Sequence, residues 1–192
     1  LIELELRFMK AGKTHMAKWK RDVKRAFKRV PVMPEHRRLT GSVWQAGREI
    51  LFSRHIGMPF GTTRAGLGWH RIANIVMAAC RRLLYLTAGR YVDDSFGVDE
   101  VAVQVKGGFC MEVMSRVLGL TLDGDKAEDT LQALIVLGAL VSDDPRDGRV
   151  YVQVTEEKAR AWSAALHEYI EAGKCEAGES GKVAGRLSFA VT

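Results

Sequence analysis

The chain has 192 residues, 47% of them apolar and 27% charged, enough to bury a core as one domain or one and a half. Lys and Arg outnumber Asp and Glu by 29 to 23 and the pI is near 9.4, a mild basic excess that suggests a polyanionic partner. Cys80, Cys110 and Cys175 are far apart and lack C-x-x-C spacing, which argues against a disulfide scaffold or zinc site, and no apolar run approaches the roughly 20 residues that span a bilayer.

In chain order, the basic excess comes first. Between Lys10 and Arg38 lie Lys10, Lys13, Lys18, Lys20, Arg21, Lys24, Arg25, Lys28, Arg29, Arg37 and Arg38, against only Asp22 and Glu35. Such a run is ordinarily a solvated face, and it would also draw phosphates. Met16 to Asp22 reads as a short strand leading into a turn of helix around Lys24–Lys28, and Pro31 and Pro34 break any longer helix. Ser42 to Ile56 predicts a hairpin turning at Ala46-Gly47, and Gly57 to Gly68 a glycine-rich loop. From Trp69 to Leu86 the apolar positions Ile72, Ile75, Val76, Ala79, Leu83 and Leu84 recur at helical spacing.

Tyr91-Val92-Asp93-Asp94 follows, two adjacent carboxylates between the apolar runs Leu83–Leu86 and Phe96–Val98. At the tip of a tight strand–turn–strand they would suit Mg²⁺, which takes carboxylate, water and phosphate oxygens; a plain surface turn is the alternative. Asp99 is a candidate cap for a helix running to about Leu118, weakened in its middle by Gly107-Gly108. Leu131 to Val141 predicts one apolar strand, Asp143–Gly148 with Pro145 a turn, and Val150–Val154 the returning strand. Thr155 is expected to cap a helix from Glu156 to Glu171, Ala172-Gly173 to end it, and Ser180 to begin a last helix. The pattern predicts a mixed α+β domain with a small helical appendage. The chain opens on Leu1 rather than Met, without a signal peptide, and stops soon after the apolar Leu187–Ala190, so it reads as an excerpt of a longer polypeptide. Its unpaired thiols predict an intracellular setting, cytoplasm or nucleus.

Five short segments, in order, resemble the palm of a reverse transcriptase. Asp22-Val23-Lys24-Arg25-Ala26-Phe27 looks like the first palm motif, an Asp at a strand end with an aromatic five residues on. Pro59-Phe60-Gly61 resembles the second, a loop opening a long helix, and Tyr91–Asp94 the third. Gly119-Leu120-Thr121-Leu122 with Lys126 resembles the fourth, and Leu137-Gly138 the fifth, which lies under the primer end. The resemblance covers roughly Ala17 to Val154. It departs from the pattern at Ala65-Gly66, where many relatives carry Ser-Pro. The Pro-Phe-Gly form and the Gly185–Ala190 ending look most like retrotransposon enzymes of the DIRS kind.

The resemblance implies an α+β polymerase palm over residues 1–154, an antiparallel sheet of ferredoxin- or RRM-like type with helices on one face, then the start of a helical thumb over residues 155–192. It implies RNA-directed DNA polymerase activity by two-Mg²⁺ nucleotidyl transfer, with Mn²⁺ as a substitute. Template–primer duplex, deoxynucleotides and the other domains of a polyprotein would be the partners, with most of the fingers ahead of Leu1. Asp22 and Asp93 would be metal ligands and Asp94 a third; Asp22 also reads as an ordinary helix N-cap. Phe27 would stack under the incoming sugar and exclude a ribose 2′-hydroxyl, though a core phenylalanine reads the same way. Lys24, Arg25 and nearby amides would receive the triphosphate. Phe60, Gly61 and Tyr91 would line the substrate site, Gly61 by close backbone approach. Lys126 would protonate pyrophosphate, and Leu137 and Gly138 would grip the primer. The rival readings are a domesticated, non-catalytic nucleic-acid-binding remnant and an RNA-dependent RNA polymerase, against which Phe27 argues. His15, His36, His55, His70 and His167 show no metal-ligand spacing. Gly178–Val183 has the wrong spacing for a phosphate loop, and Asp123-Gly124-Asp125 lacks the later ligands of a calcium loop.

Overall fold

The structure, a computed structural model, describes residues 1–13, 16–62, 64–101, 106–144 and 146–191. His15 and Pro145 lie outside the described residues. The chain divides into two compact units, residues 3–131 and residues 132–192. Among the described residues no helix is long and apolar enough to cross a membrane.

The first unit is organised by strand β1 (Met16–Asp22). Side chains alternate across a strand, and here both sets are buried. Trp19 and Arg21 point to one face, Met16 and Lys18 to the other, all nearly inaccessible. Antiparallel neighbours β5 (Asp94–Glu100) and β6 (Glu128–Thr130) flank it, and β4 (Ala88–Tyr91) closes the four-stranded order β4-β5-β1-β6. On the Trp19 face lie helices α2 (Ala65–Leu83) and α3 (Lys106–Val117). Trp69, Ala73, Val76, Met77 and Cys80 of α2 and Met111 of α3 join Trp19, Val23, Ala26 and Leu120 in one core. The helices expected on one face are α2 and α3. A further helix that the sequence reading did not foresee, α1 (Ile2–Lys10), meets the opposite face, where Glu5 stands 4.0 Å from the equally buried Lys18.

Trp19 dictates where glycines fall. Its partner across the β1–β5 pair is Gly97, where an added Cβ would come within 2.3 Å of the indole ring. A Cβ on Gly107 would lie 2.3 Å from Asp99 Oδ2 and 2.5 Å from Trp19 Nε1. The Gly107-Gly108 pair is therefore in the first described turn of α3, where it lets the helix close onto the sheet. Asp99 lies within β5 rather than at a helix start. Its carboxylate accepts the Gly107 N–H at 2.9 Å, doing the work of a cap from the neighbouring strand. Burial holds the Asp99 carboxyl above the usual carboxylate range, against the opposing effect of the Gly107 amide and the facing indole N–H of Trp19, which stops short of full hydrogen-bond geometry.

Arg21 closes the β6 end of the Trp19 face. It donates to Glu112 Oε1 of α3 at 2.6 Å, to both carboxylate oxygens of Asp129 on β6 at 3.1 and 2.8 Å, and to the Glu128 carbonyl at 3.0 Å. The basic run is thus not one solvated face. Lys13, Lys18, Lys20 and Arg21 are each paired with an acid, and Lys24, Arg25, Lys28 and Arg29 remain exposed.

The hairpin forms as β2 (Gly41–Ala46) and β3 (Glu49–Arg54), with Gly47 at φ +64° in its turn. Leu83–Leu86 does not enter the Tyr91 turn as a strand, because α2 runs to Leu83 and the entering strand begins at Ala88. In the second unit the single strand expected over Leu131–Val141 is two, β7 (Ala133–Val136) and β8 (Ala139–Asp144), with β9 (Arg149–Val154) completing a meander. The break is the turn at Leu137-Gly138, with φ +53° and +80°. Positive φ at both central residues is what a type I′ hairpin turn requires, and leucine tolerates it at a cost of about 1–2 kcal/mol. Thr155 stands at the N-cap of α4 (Glu156–Ala172) without a side-chain cap bond, and Gly173 ends that helix at φ +62°. Helix α5 starts at Ala177, three residues before the expected Ser180.

Gly107→Ala is expected to lower stability by about 1–3 kcal/mol, the usual scale of overpacking a filled core. Gly124→Ala, where an added Cβ meets nothing within 4 Å, is expected to stay within about 0.5 kcal/mol of the unsubstituted protein. Urea unfolding of the two variants side by side checks the difference.

Candidate active site

Four of the five sequence segments meet at the Asp22 end of β1. In the β1–β5 register Asp22 stands directly opposite Asp94, and Tyr91 opposite Asp94 on the other side. Two residues lie between the strands, Val92 and Asp93. The Val92 backbone is left-handed at φ +50°, uncommon for any side chain and an outlier for a β-branched one. Its carbonyl accepts the Trp69 Nε1–H at 2.7 Å and Arg90 Nη1–H at 2.6 Å. The next carbonyl, that of Asp93, accepts the Val23 N–H at 3.3 Å. The turn is thereby bonded to both α2 and the residue after Asp22.

The fourth segment runs alongside. Leu122 bridges Val23, the Lys24 amide donates to the Thr121 carbonyl at 2.9 Å, and the Asp123 amide donates to the Asp22 carbonyl at 2.9 Å. These bonds account for the backbone beyond Asp22, so Asp22 ends a strand and is no helix N-cap. The cap position of the following four-residue 3₁₀ turn, Ala26–Arg29, belongs to Arg25 at φ +57°. With the Lys24 amide already bonded, the expected cradle of free amides shrinks to what the Arg25 turn exposes.

The carboxylates carry cationic partners. Lys126 Nζ lies 3.2 Å from Asp22 Oδ2, and Lys20 Nζ lies 3.4 Å from Asp94 Oδ1. Asp22 is 6% exposed. That burial is the main reason its carboxyl sits above the usual range; Lys126 draws it back down, and repulsion from Asp93 and Asp94 adds to the rise. The hydrogen bond from Lys126 to Asp22 in turn holds the ammonium above its ordinary range, which moves it away from an ideal proton donor near neutral pH.

Among the described residues no three His, Cys, Asp or Glu side chains converge closely enough to hold an ion together. The donor chemistry nonetheless suits Mg²⁺. All the acids offer hard oxygens, both Asp22 and Asp94 already attract an ammonium, and Mg²⁺ is commonly held by only one or two carboxylates plus waters and substrate phosphates. Asp22 and Asp93 would supply that pair, while Asp94 is engaged by Lys20.

The second segment closes on the first through aromatic rings. Phe27 and Phe60 meet edge to face with centroids 4.9 Å apart, within the favourable range for such pairs. The Met58 amide donates to the Val30 carbonyl at 2.9 Å, and the Val32 amide to the Ile56 carbonyl at 2.8 Å, which fixes the loop against the segment after Phe27. Phe27 is half-buried against the core, Phe60 is exposed, and Gly61 has φ +83° with open space where a Cβ would be. Tyr91 is exposed at the turn. Leu137 and Gly138 belong to the second unit, where Lys158 Nζ donates to the Gly138 carbonyl at 3.2 Å and Leu137 is exposed. The sequence reading missed Lys20, Trp69 and Arg90, which touch the acids or their turn. Spacing could have pointed to Lys20 alone, two residues before Asp22 and so on the same strand face.

No family model matches the chain, and no curated protein matches it in sequence. Its fold is similar to solved structures of the foamy viral protease-reverse transcriptase. One in complex with double-stranded DNA has TM-score 0.68 and 13% identity over 92% of this chain and 27% of that one. Another, with RNA/DNA hybrid, has TM-score 0.58 and 16% identity over 77% of this chain and 18% of that one. A third, with double-stranded DNA, has TM-score 0.59 and 16% identity over 91% of this chain and 32% of that one. The chain thus spans a third or less of the structures it matches, and the likeness is one of fold.

Because the Asp22 carboxyl is raised in the folded state, that state holds the proton more tightly than the unfolded chain. Asp22's contribution to stability therefore falls as pH rises from about the model-compound value of 3.8 through the raised folded value. In metal-free buffer, Asp22→Asn is expected to gain stability relative to the unsubstituted protein between pH 4 and pH 7. Urea unfolding at the two pH values reads the difference directly.

Proposed function

We propose that the chain is the palm of an RNA-directed DNA polymerase from a retrotransposon of the DIRS kind, residues 1–154, with the start of a helical thumb over residues 155–192. The observation that carries this reading is the strand register that sets Asp22 opposite Asp94, with Asp93 hydrogen-bonded to Val23. It occurs within a fold similar to the foamy viral protease-reverse transcriptase. A primer 3′-hydroxyl attacks the α-phosphate of a deoxynucleotide on an RNA or DNA template, and pyrophosphate leaves.

Asp22 and Asp93 would hold Mg²⁺, or Mn²⁺ in its place, with Asp94, 3.4 Å from Lys20 Nζ, as a third oxygen donor. Two such ions, when bound, stabilise the attacking and leaving oxygens. Lys24, Arg25, Lys28 and Arg29, exposed members of the basic run that follow Asp22, attract the triphosphate. Phe27, edged by Phe60, meets the sugar and excludes a 2′-hydroxyl. Gly61 lets the backbone approach the paired nucleotide, and Tyr91 faces the primer end. Lys126, whose ammonium lies 3.2 Å from Asp22 Oδ2, gives a proton to the departing pyrophosphate. Leu137 and Gly138 grip the primer; a strained, exposed leucine at a turn is the kind of outlier that a functional contact explains. The partners are template–primer duplex and the other domains of a longer polyprotein.

One observation favours a second reading. Lysines pair with Asp22 and Asp94, and among the described residues no three acids converge, as a domesticated nucleic-acid-binding remnant without catalysis would allow.

Primer extension on an RNA template with a DNA primer and Mg²⁺ separates the two. Extension with deoxynucleotides is expected, lost by at least about 10²-fold in Asp93→Asn, the scale of removing one electrostatic contributor to a transition state. Phe27→Val is expected to raise ribonucleotide use relative to deoxynucleotide use by about 10–100-fold. Duplex binding that weakens with salt, without extension, supports the remnant instead.

A further inference from the structure

We infer that Trp69 and Arg90 are positioning residues that fix the Asp93–Asp94 turn through one shared acceptor, the Val92 carbonyl. The inference rests on the reading of that turn as the metal-bearing turn of the site. It starts from strain. A valine held at φ +50° costs on the order of 1–3 kcal/mol and persists only where its surroundings over-determine it.

The surroundings here are specific. A carbonyl oxygen has two lone pairs, and the two donors on Val92 come from different directions: the indole N–H of Trp69 at 2.7 Å and a guanidinium N–H of Arg90 at 2.6 Å. Trp69 is fully buried in the core, so its ring has little freedom to follow a moving turn. Arg90 sits on β4, and its other terminal nitrogen is committed to α2, 2.7 Å from Asn74 Oδ1 and 3.1 Å from His70 Nδ1. Both donors are thus anchored on the same helix, one directly and one through its planar fork, whose fixed spacing of donors a lysine lacks.

A core tryptophan needs some acceptor for its N–H, and any nearby carbonyl would serve that need. Here the acceptor is the one residue of the turn in a strained conformation, immediately ahead of Asp93. With the Asp93 carbonyl taking the Val23 N–H at 3.3 Å, two successive peptide groups are held, one from α2 and β4 and the other from β1. The side chains of Asp93 and Asp94 consequently leave a fixed backbone. Helix α2 begins four residues after Gly61, so one helix both follows the nucleotide-side loop and holds the carboxylate turn.

The test uses Trp69→Phe, which keeps the ring and removes the N–H, and Arg90→Met, which keeps the stem and removes the fork, with Arg90→Lys as partial rescue. Urea unfolding establishes that each variant folds; should Trp69→Phe fail, Arg90→Met carries the test alone. In metal-free protein, amide exchange at Val23 is expected to quicken in both variants, while the Val98 amide, bonded to the Thr87 carbonyl at 3.1 Å, keeps its rate. Mn²⁺ affinity, read as free ion by electron paramagnetic resonance, is expected to fall about 10–100-fold, the usual effect of losing an outer partner of a metal ligand, with Arg90→Lys falling less. In primer extension the loss is expected in kcat rather than in KM for the deoxynucleotide. Folded variants with unchanged Val23 exchange and unchanged Mn²⁺ affinity overturn the inference. Quickened Val23 exchange in a protein that binds no Mn²⁺ even when unsubstituted supports the clamp and overturns the metal reading of the turn.

Discussion

The first unit depends on the pairing of β1 with β5, from Met16 opposite Glu100 to Asp22 opposite Asp94. Side chains alternate with period two, so a slip of one residue would exchange every side chain between faces. Trp19 would leave the core for the side that holds Lys18 and Lys20, and Asp22 would turn towards α2 and α3. Register is therefore decided by burial of the tryptophan, and the position of the carboxylate follows from it. Gly97 opposite Trp19 and Gly107 above it are the spaces this choice requires.

Charge is handled differently on the two faces. Towards α3, buried Arg21 reaches the partly buried Glu112 at 2.6 Å and the exposed Asp129 at 2.8 Å. An uncompensated guanidinium there would be very costly, so its partners are fixed by desolvation as much as by attraction. On the other face the ionic pairs become more accessible towards the end of the strand, from buried Lys18 near Glu5, through Lys20 with Asp94, to the exposed Lys126 on Asp22. The pairs nearest the candidate site are those a competing cation could most readily displace. Burial of Asp22 outweighs the pull of the exposed Lys126, which is how so basic a chain keeps a raised carboxyl at the end of this strand.

The loop ahead of α2 and the turn after β4 are distant in sequence but share that helix. Phe60 meets Phe27 at one side of the loop, Trp69 reaches the Tyr91–Asp94 turn directly, and His70 and Asn74 hold Arg90, which reaches it in turn. Precise placement of site groups by rigid elements, rather than by the loops that carry them, is what productive geometry demands. The second unit shows strain of the same kind by itself, in the left-handed Leu137 that turns β7 into β8.

The sequence by itself determined what local rules govern. Met16–Asp22 was legible as a strand from its place before a helix-breaking segment, the β2–β3 hairpin from its turn, and α2 and α4 from their 3.6-residue periodicity. The five segments and their order marked Asp22, Phe27, Gly61, Asp93, Asp94 and Lys126 before any coordinates. The tertiary structure alone decided what depends on partners far along the chain. The sequence reading passed over α1, although its nine residues are amphipathic at helical spacing; the three-residue β6 is too short to be read locally and owes its place to pairing with β1. Leu131–Val141 reads as one apolar strand because nothing about leucine announces a left-handed turn; only pairing of β7 with β8 reveals it. Lys20 on Asp94, Lys126 on Asp22 and the two donors on Val92 are contacts across 74, 104, 23 and 2 residues. Spacing cannot encode which nitrogen reaches which oxygen, because that is settled by the angle at which a helix and a sheet come to rest.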